Sequence, residues 1–159
     1  MGVDTKSRAF HYVVGDYAYG SRVSSQEDHD LARADLFREA KTLFERKTPR
    51  HVFCEAPLAL QNGKTTRLLC MAAAAVWCGF VASETDGFWY WVDPATWKRE
   101  VLGGAPPRGM KHKPWIRQRS LELWPHVLAG NTLEDFDREP DFFDARCLLV
   151  YGQQVVDSL

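Results

Sequence analysis

The hydrophobic pattern of the chain changes its period after residue 24, and this change constrains the fold more than any other feature. Residues 1–24 form three short β-type runs separated by turn residues. Residues 28–47 instead place apolar side chains three and four positions apart, as in an amphipathic helix. Because strands joined by such short turns pair antiparallel, we expect a three-stranded meander followed by a helix. The predicted strands are Met1–Thr5, Ala9–Val14 and Tyr17–Ser24, with turns at Lys6–Arg8 and Gly15–Asp16.

Strands and helices alternate in the rest of the chain. Two further β-type runs each end at a proline, and three segments have the length and apolar content of helices. The predicted strands cover residues 51–57 and 87–94, and the predicted helices cover 62–83, 114–128 and 141–155. We interpret residues 95–104 as a short turn and residues 103–113 as a loop. This order predicts an α/β fold whose mixed five-stranded sheet has three antiparallel strands, then parallel strands, with helices on its faces.

Length, charge and cysteine content are those of an ordinary single-domain globular protein. With 159 residues, one domain covering 1–159 is expected, and a net charge of -1 gives no global sign of nucleic-acid binding. No signal peptide is recognised, and the apolar run Leu68–Ala82 is shorter than a typical membrane span. The four cysteines are widely spaced in apolar segments, which indicates reduced thiols. We therefore expect a cytoplasmic protein with no membrane partner.

Four acidic residues lie where carboxylates are costly. Asp4 is inside the first predicted strand, Glu55 ends the predicted central strand, and Asp141 and Asp144 are one turn apart on the last predicted helix. Each alone is compatible with a turn, a cap or a strand end. Burying all four beside apolar neighbours would cost several kcal/mol for each charge unless cations compensated them. Mg²⁺, or Mn²⁺ in its place, prefers such oxygen ligands, and two ions about 4 Å apart promote phosphodiester hydrolysis.

Four segments together resemble the RuvC family of Holliday-junction resolvases, which have the RNase H-like fold. They are MGVDTKSRAFHYVV, VFCEAP, DPATWKREVLGG with a following lysine, and DFFDARCLLVYG, in the order of that family and across nearly the whole chain. The resemblance is greatest to the compact forms of bacteriophages, which implies the host cytoplasm as the location. It implies that Asp4, Glu55, Asp141 and Asp144 are catalytic and bind two Mg²⁺ ions. It also implies a homodimer that cleaves branched DNA such as a four-way junction.

A basic stretch between Trp97 and Arg119 is the predicted DNA-binding surface. It contains seven basic residues and one acidic residue, in a chain whose net charge is -1. Neutralising DNA phosphates is the simplest use of such a stretch, although a solvated helix face has the same composition. The resemblance places DNA-contacting lysines at Lys98 and at Lys111 or Lys113. The candidate DNA-binding residues are Lys98, Arg99, Arg108, Lys111, Lys113 and Arg117, with Lys64 and Arg67 at the start of the 62–83 helix.

The sequence departs from the RuvC pattern at the position of the junction wedge. Cellular enzymes of the family often have an aromatic residue three positions after the glutamate, where this chain has Leu58. An RNase H-like nuclease for flaps, forks or RNA–DNA hybrids is therefore an alternative. A branched-DNA-binding protein without catalysis is another, which the complete carboxylate set disfavours. The apolar side of the 62–83 helix, with Ala72–Ala75, Val76 and Trp77, is expected either to form the dimer interface or to pack on the sheet.

Overall fold

A computed structural model of the chain describes residues 1–14, 18–57, 62–123 and 141–159. These residues form five strands and five helices in an order that begins with the predicted meander. The strands are β1 (Gly2–Lys6), β2 (Ala9–Val14), β3 (Ala18–Val23), β4 (His51–Glu55) and β5 (Phe88–Val92). The helices are α1 (His29–Lys47), α2 (Gly63–Ala82), α3 (Pro94–Leu102), α4 (His112–Leu123) and α5 (Asp141–Asp157).

The five strands form one mixed sheet, as the sequence predicts. Their order is β3-β2-β1-β4-β5, with antiparallel pairing among the first three strands and parallel pairing of β1 with β4 and of β4 with β5. The register places Asp4 of β1 opposite His11 of β2 and pairs Val3 with Cys54 of β4. Strand β1 is therefore the central strand, with antiparallel β2 on one side and parallel β4 on the other.

Alternation along β1 separates the two faces of the sheet. Val3 is fully buried in the core beneath α1 and α2, which also contains Leu36 and Phe44. Gly2 points to the opposite face, where α5 lies so close that a side-chain carbon on Gly2 would overlap a backbone carbonyl of the helix. Because successive side chains of a strand alternate, Asp4 and Lys6 share the α5 face with Gly2. A glycine at this position thus allows a buried helix to cross the central strand.

The second core holds α3, α4 and α5 on that same face. It contains Phe53 from β4 and the buried aromatic residues Trp97, Trp115 and Phe143, one from each of the three helices. Burial of such large side chains contributes about 2–3 kcal/mol each. This core fixes the first turn of α5 against the ends of β1 and β4.

One sequence interpretation is wrong: residues 95–104 contain a helix rather than a short turn. The Asp93 side chain accepts hydrogen bonds from the backbone N–H groups of Ala95 (2.8 Å) and Thr96 (3.1 Å), which caps α3. Pro94 occupies the first turn, and Gly103 ends the helix with φ of 81°. Both capping signals are present in the sequence. The prediction missed this helix because its apolar stripe is short.

Helix α2 is long and apolar enough, by length and composition alone, to cross a membrane. The 20-residue helix is longer than the apolar run read from the sequence. Core helices meet the same criterion, and α2 buries Ala73, Val76 and Phe80. The absence of a membrane partner therefore stays a prediction.

Candidate metal centre

Three aspartates meet where the first turn of α5 crosses β1. Asp4 is buried on the central strand, with 2% of its surface exposed, and Asp141 and Asp144 are in the first turn of the helix. One oxygen from each of the three carboxylates lies within 4.8 Å of the others. The spacing of three places Asp141 and Asp144 on one side of α5, and the packing of α5 across β1 brings them to Asp4.

Glu55 lies beside this cluster but is not one of its three members. It ends β4, next to β1, and lines the same cleft of about 210 Å³ as Asp4. The indole N–H of Trp97 donates a hydrogen bond to Glu55 Oε2 at 2.9 Å. Since Trp97 is fully buried in the second core, it fixes the orientation of this carboxylate. Sequence reasoning did not assign a role to Trp97.

Two lysines lie between the aspartates. Lys6 Nζ is 2.9 Å from Asp4 Oδ2 and 3.5 Å from Asp141 Oδ1. Lys113 Nζ donates a hydrogen bond to Asp141 Oδ1 at 2.6 Å and pairs with Asp144 Oδ2. Lys113 belongs to the predicted DNA-binding set, and α4 carries it to the carboxylates.

Lys6 and His11 are neighbours of the site that the sequence interpretation missed. His11 Nε2 is 3.7 Å from Asp141 Oδ2, and its ring packs edge-on against Phe142. The predicted first strand ended at Thr5, which put Lys6 in a turn. Extending that strand by one residue would have placed Lys6 on the face of Asp4, two positions away.

Burial and neighbouring acids raise the carboxyl pKa values at this site, and the nearby lysines lower them. Burial raises the pKa of Asp4 to about 7, opposed by Lys6 and reinforced by Asp144 and Glu55. Burial also raises the pKa of Glu55, and Lys98 is the main opposing charge. The pKa of Asp141 is lowered instead, because Lys113 and Lys6 outweigh the effect of its partial burial. The site therefore contains carboxylates that are costly to ionise without a cation.

The donor set fits Mg²⁺ or Mn²⁺. All candidate ligands are carboxylate oxygens, which hard divalent cations prefer. The Oδ1 atom of Asp144 is buried and has no hydrogen-bond partner among the described residues, so its lone pairs are available to a cation. An orphaned anionic acceptor of this kind is expensive unless a cation binds it. Asp4 and Asp144 are the natural pair of ligands, with Glu55 and Asp141 on either side.

The remaining predicted DNA-binding residues lie at different distances from the carboxylates. Lys98 is close: its ammonium lies over the Trp97 ring, 4.9 Å from the centroid. Arg99 is exposed and pairs with the adjacent Glu100, and Arg117 is half-buried on α4. The others are exposed, Arg108 and Lys111 in the loop before α4 and Lys64 and Arg67 in the first turns of α2. Leu58, the predicted wedge, is outside the described residues.

Comparison with known proteins identifies the fold. No protein-family model and no curated protein sequence matches the chain. The structure is similar to that of Thermus thermophilus RuvC in complex with a Holliday junction substrate, with a TM-score of 0.63 and 14% identity over 92% of this chain and 87% of that one. It is also similar to a second Thermus thermophilus RuvC structure, with a TM-score of 0.58 and 17% identity over 92% and 88% of the two chains. The predicted RuvC-type, RNase H-like α/β fold is confirmed.

Proposed function

We propose that the protein is a divalent-metal-dependent endonuclease that cleaves branched DNA and resolves four-way junctions. The observation that carries this proposal is the meeting of Asp4, Asp141 and Asp144, whose carboxylate oxygens lie within 4.8 Å of one another. Glu55 borders the same cleft. The fold adds support, since one of the similar structures is a RuvC bound to a Holliday junction substrate.

The carboxylates would hold two Mg²⁺ ions, with Asp4, Glu55 and Asp144 as ligands and Asp141 as a fourth ligand or a neighbour that supports them. Bound there, the ions supply an activated water and a counter-charge for the leaving oxygen of the phosphodiester. The chain itself supplies orientation. Trp97 holds Glu55 by the 2.9 Å hydrogen bond, and the second core holds α5 against β1. Such fixed ligands lower the reorganisation needed during the reaction.

Basic residues next to the carboxylates would bind the DNA backbone. Lys98 is within Coulombic reach of Glu55, so a phosphate bound by Lys98 would lie close to the acids. Arg108 and Lys111 are exposed in the loop before α4 and would contact phosphates farther along the duplex. Each phosphate contact releases counterions and makes binding weaker at high salt. Contacts of this kind increase the affinity for DNA without selecting a base sequence.

A homodimer would place two sites on one junction, and α2 carries the surface that supports it. Its Ala73, Val76 and Phe80 side is buried, while Trp77 and Val81, one turn apart, are 42% and 57% exposed. Only 28% of the most apolar part of this helix is buried in the described structure. Adjacent exposed apolar side chains that include a tryptophan are a feature of many protein interfaces.

The dimer is tested by Trp77→Glu, with Leu31→Glu on α1 as a matched control because that leucine is also exposed, at 55%. We expect the wild-type protein and the Leu31 variant to have twice the 18.2 kDa mass of the chain in light scattering, and the Trp77 variant to be monomeric. A wild-type monomer at micromolar concentration would contradict the proposed dimer.

Cleavage assays across a substrate panel test the activity. Wild type, Asp144→Asn and the control Asp86→Asn, which changes an exposed aspartate after α2, are incubated with Mg²⁺ and labelled DNA. We expect wild type and the Asp86 variant to cut a four-way junction, and the Asp144 variant to lose at least about a thousandfold in rate, as losses of central catalytic groups do. Preferred cleavage of a flap, fork or RNA–DNA hybrid would favour the alternative nuclease. Junction binding without cleavage in Mg²⁺ or Mn²⁺ would favour a non-catalytic DNA-binding protein.

A further inference from the structure

Lys6 places a positive charge directly beside the acidic cluster. It is the last residue of β1, on the same face as Asp4, and its ammonium lies between two carboxylates, 2.9 Å from Asp4 Oδ2 and 3.5 Å from Asp141 Oδ1. The side chain is 38% exposed and lines the cleft that also contains Glu55. The Lys6 ammonium thus contacts the acidic cluster and is also accessible to a ligand that enters the cleft.

The two lysines and three aspartates form a chain of alternating charge. Lys6 joins Asp4 to Asp141, and Lys113 joins Asp141 to Asp144. Carboxylates this close repel one another strongly in a partly buried setting, so the ammonium groups stabilise their ionised forms. A divalent ion bound by Asp4 and its neighbouring carboxylates would place two positive charges close to the Lys6 ammonium. Like charges this close repel each other in a partly buried site, so the ion and the ammonium compete for the same carboxylates.

Resting on the proposed function, we propose that Lys6 is the internal counter-ion of the metal-free site, that divalent metal displaces it from Asp4 and Asp141, and that the released ammonium binds a DNA phosphate in the cleft. The four-carbon stem lets the ammonium move while β1 holds its Cα in place. Once displaced, the ammonium keeps its charge and remains in the cleft. A DNA phosphate entering the cleft is the anion that replaces its lost partners. Lys6 is therefore a substrate-binding residue whose contact becomes available when metal is present.

The proposal predicts opposite effects of one substitution on metal and on DNA. Lys6→Met keeps the length of the stem and removes the competing charge. It should bind Mn²⁺ about fivefold more tightly than wild type in the absence of DNA, because the half-exposed ion pairs no longer oppose the metal. At saturating metal it should need several-fold more junction DNA for half-maximal rate, with kcat within about twofold of wild type. The dependence of log(kcat/KM) on log[salt] should become shallower by about one, the loss of one phosphate contact.

Two control variants separate this role from a structural one. Lys41→Met removes a lysine of similar exposure, 42%, whose Nζ is 3.5 Å from Glu45 Oε1 on α1. It lies away from the carboxylate cluster and should change neither Mn²⁺ affinity nor KM. Lys6→Arg keeps the charge and should retain the salt dependence of wild type. A melting temperature for each variant verifies that the protein is folded.

Electron paramagnetic resonance of free Mn²⁺ provides the deciding readout, because it reports binding without any cleavage. Tighter Mn²⁺ binding by Lys6→Met, together with a raised KM for junction DNA, is the expected result. If this folded variant binds Mn²⁺ equally or more weakly, while wild type binds Mn²⁺ and cleaves DNA, the proposed role of Lys6 is overturned. The proposed function is then unaffected. Wild-type protein that binds no Mn²⁺ at all overturns both the proposed function and the inference that rests on it.

Discussion

Replacing Asp4 with asparagine should stabilise the metal-free protein while it abolishes activity. The carboxylate is 2% exposed, and an asparagine side chain has almost the same shape without the charge. In the folded protein, burial and the neighbouring Asp144 and Glu55 make ionisation of Asp4 unfavourable, even though Lys6 is 2.9 Å away. The substitution removes this cost. Sites that position charged groups for catalysis commonly lower stability in this way.

The size of the gain follows from the pKa of the carboxyl group. It rises from 3.8 in the unfolded chain to about 7 in the folded protein. A shift of about three pH units at 1.4 kcal/mol per unit makes ionised Asp4 destabilising by about 4 kcal/mol. Because the folded protein holds a proton that the unfolded chain releases, stability falls as the pH rises from 4 to 7. The advantage of Asp4→Asn should therefore be small at pH 4 and reach about 4 kcal/mol at pH 8.

Urea denaturation in EDTA at pH 4, 6 and 8 measures this difference. The exposed Asp86→Asn variant is the control and should show no pH-dependent difference from wild type. Adding Mg²⁺ at pH 8 should stabilise wild type and leave the Asp4 variant unchanged, since a ligand stabilises only the state that binds it. The reasoning would be refuted if Asp4→Asn were less stable than wild type at pH 8. It would also be refuted if the difference in unfolding free energy between the two proteins were the same at every pH.

Three further substitutions test how the fold supports the site. Trp97→Phe removes the donor to Glu55 and should raise the Mg²⁺ concentration for half-maximal cleavage about tenfold; an unchanged Mg²⁺ dependence contradicts the orienting role. Gly2→Ala should destabilise the protein by about 3 kcal/mol in urea denaturation, because its methyl group would overlap the Ala145 carbonyl oxygen. Asp93→Ala removes the cap of α3 and should cost about 1 kcal/mol, and a neutral result would show that the cap contributes nothing.

The sheet was largely predictable from local patterns, and the acidic cluster only in part. Short turns between the first three strands dictate antiparallel pairing, and the helical segments between later strands dictate parallel pairing. The i, i+3 spacing of Asp141 and Asp144 places both on one side of a helix whatever that helix packs against. The meeting of that helix with β1 was not local information. It came from the resemblance of the sequence to RuvC resolvases.

The basic side chains next to the carboxylates could not be predicted in the same way. Lys113 pairs with Asp141 across 28 residues, and only the packing of α4 on α5 brings them together. His11 lies near Asp141 because the β1–β2 register puts it opposite Asp4, and the sequence pattern leaves that register open. Lys6 was missed by an error of one residue at a strand end, where assignment is least certain. Side-chain partners thus depend on tertiary packing that propensity does not encode.

Anomalous diffraction from Mn²⁺-containing crystals tests the central claim most directly, because it locates the metal without reference to activity. We expect an anomalous peak within about 2.2 Å of oxygens from both Asp4 and Asp144, with a second peak about 4 Å from the first on the Glu55 or Asp141 side. The Lys6 ammonium should have left Asp4 in that crystal. A Mn²⁺-loaded, DNA-cleaving protein with no peak at these carboxylates, or with its peaks elsewhere on the chain, would contradict the account.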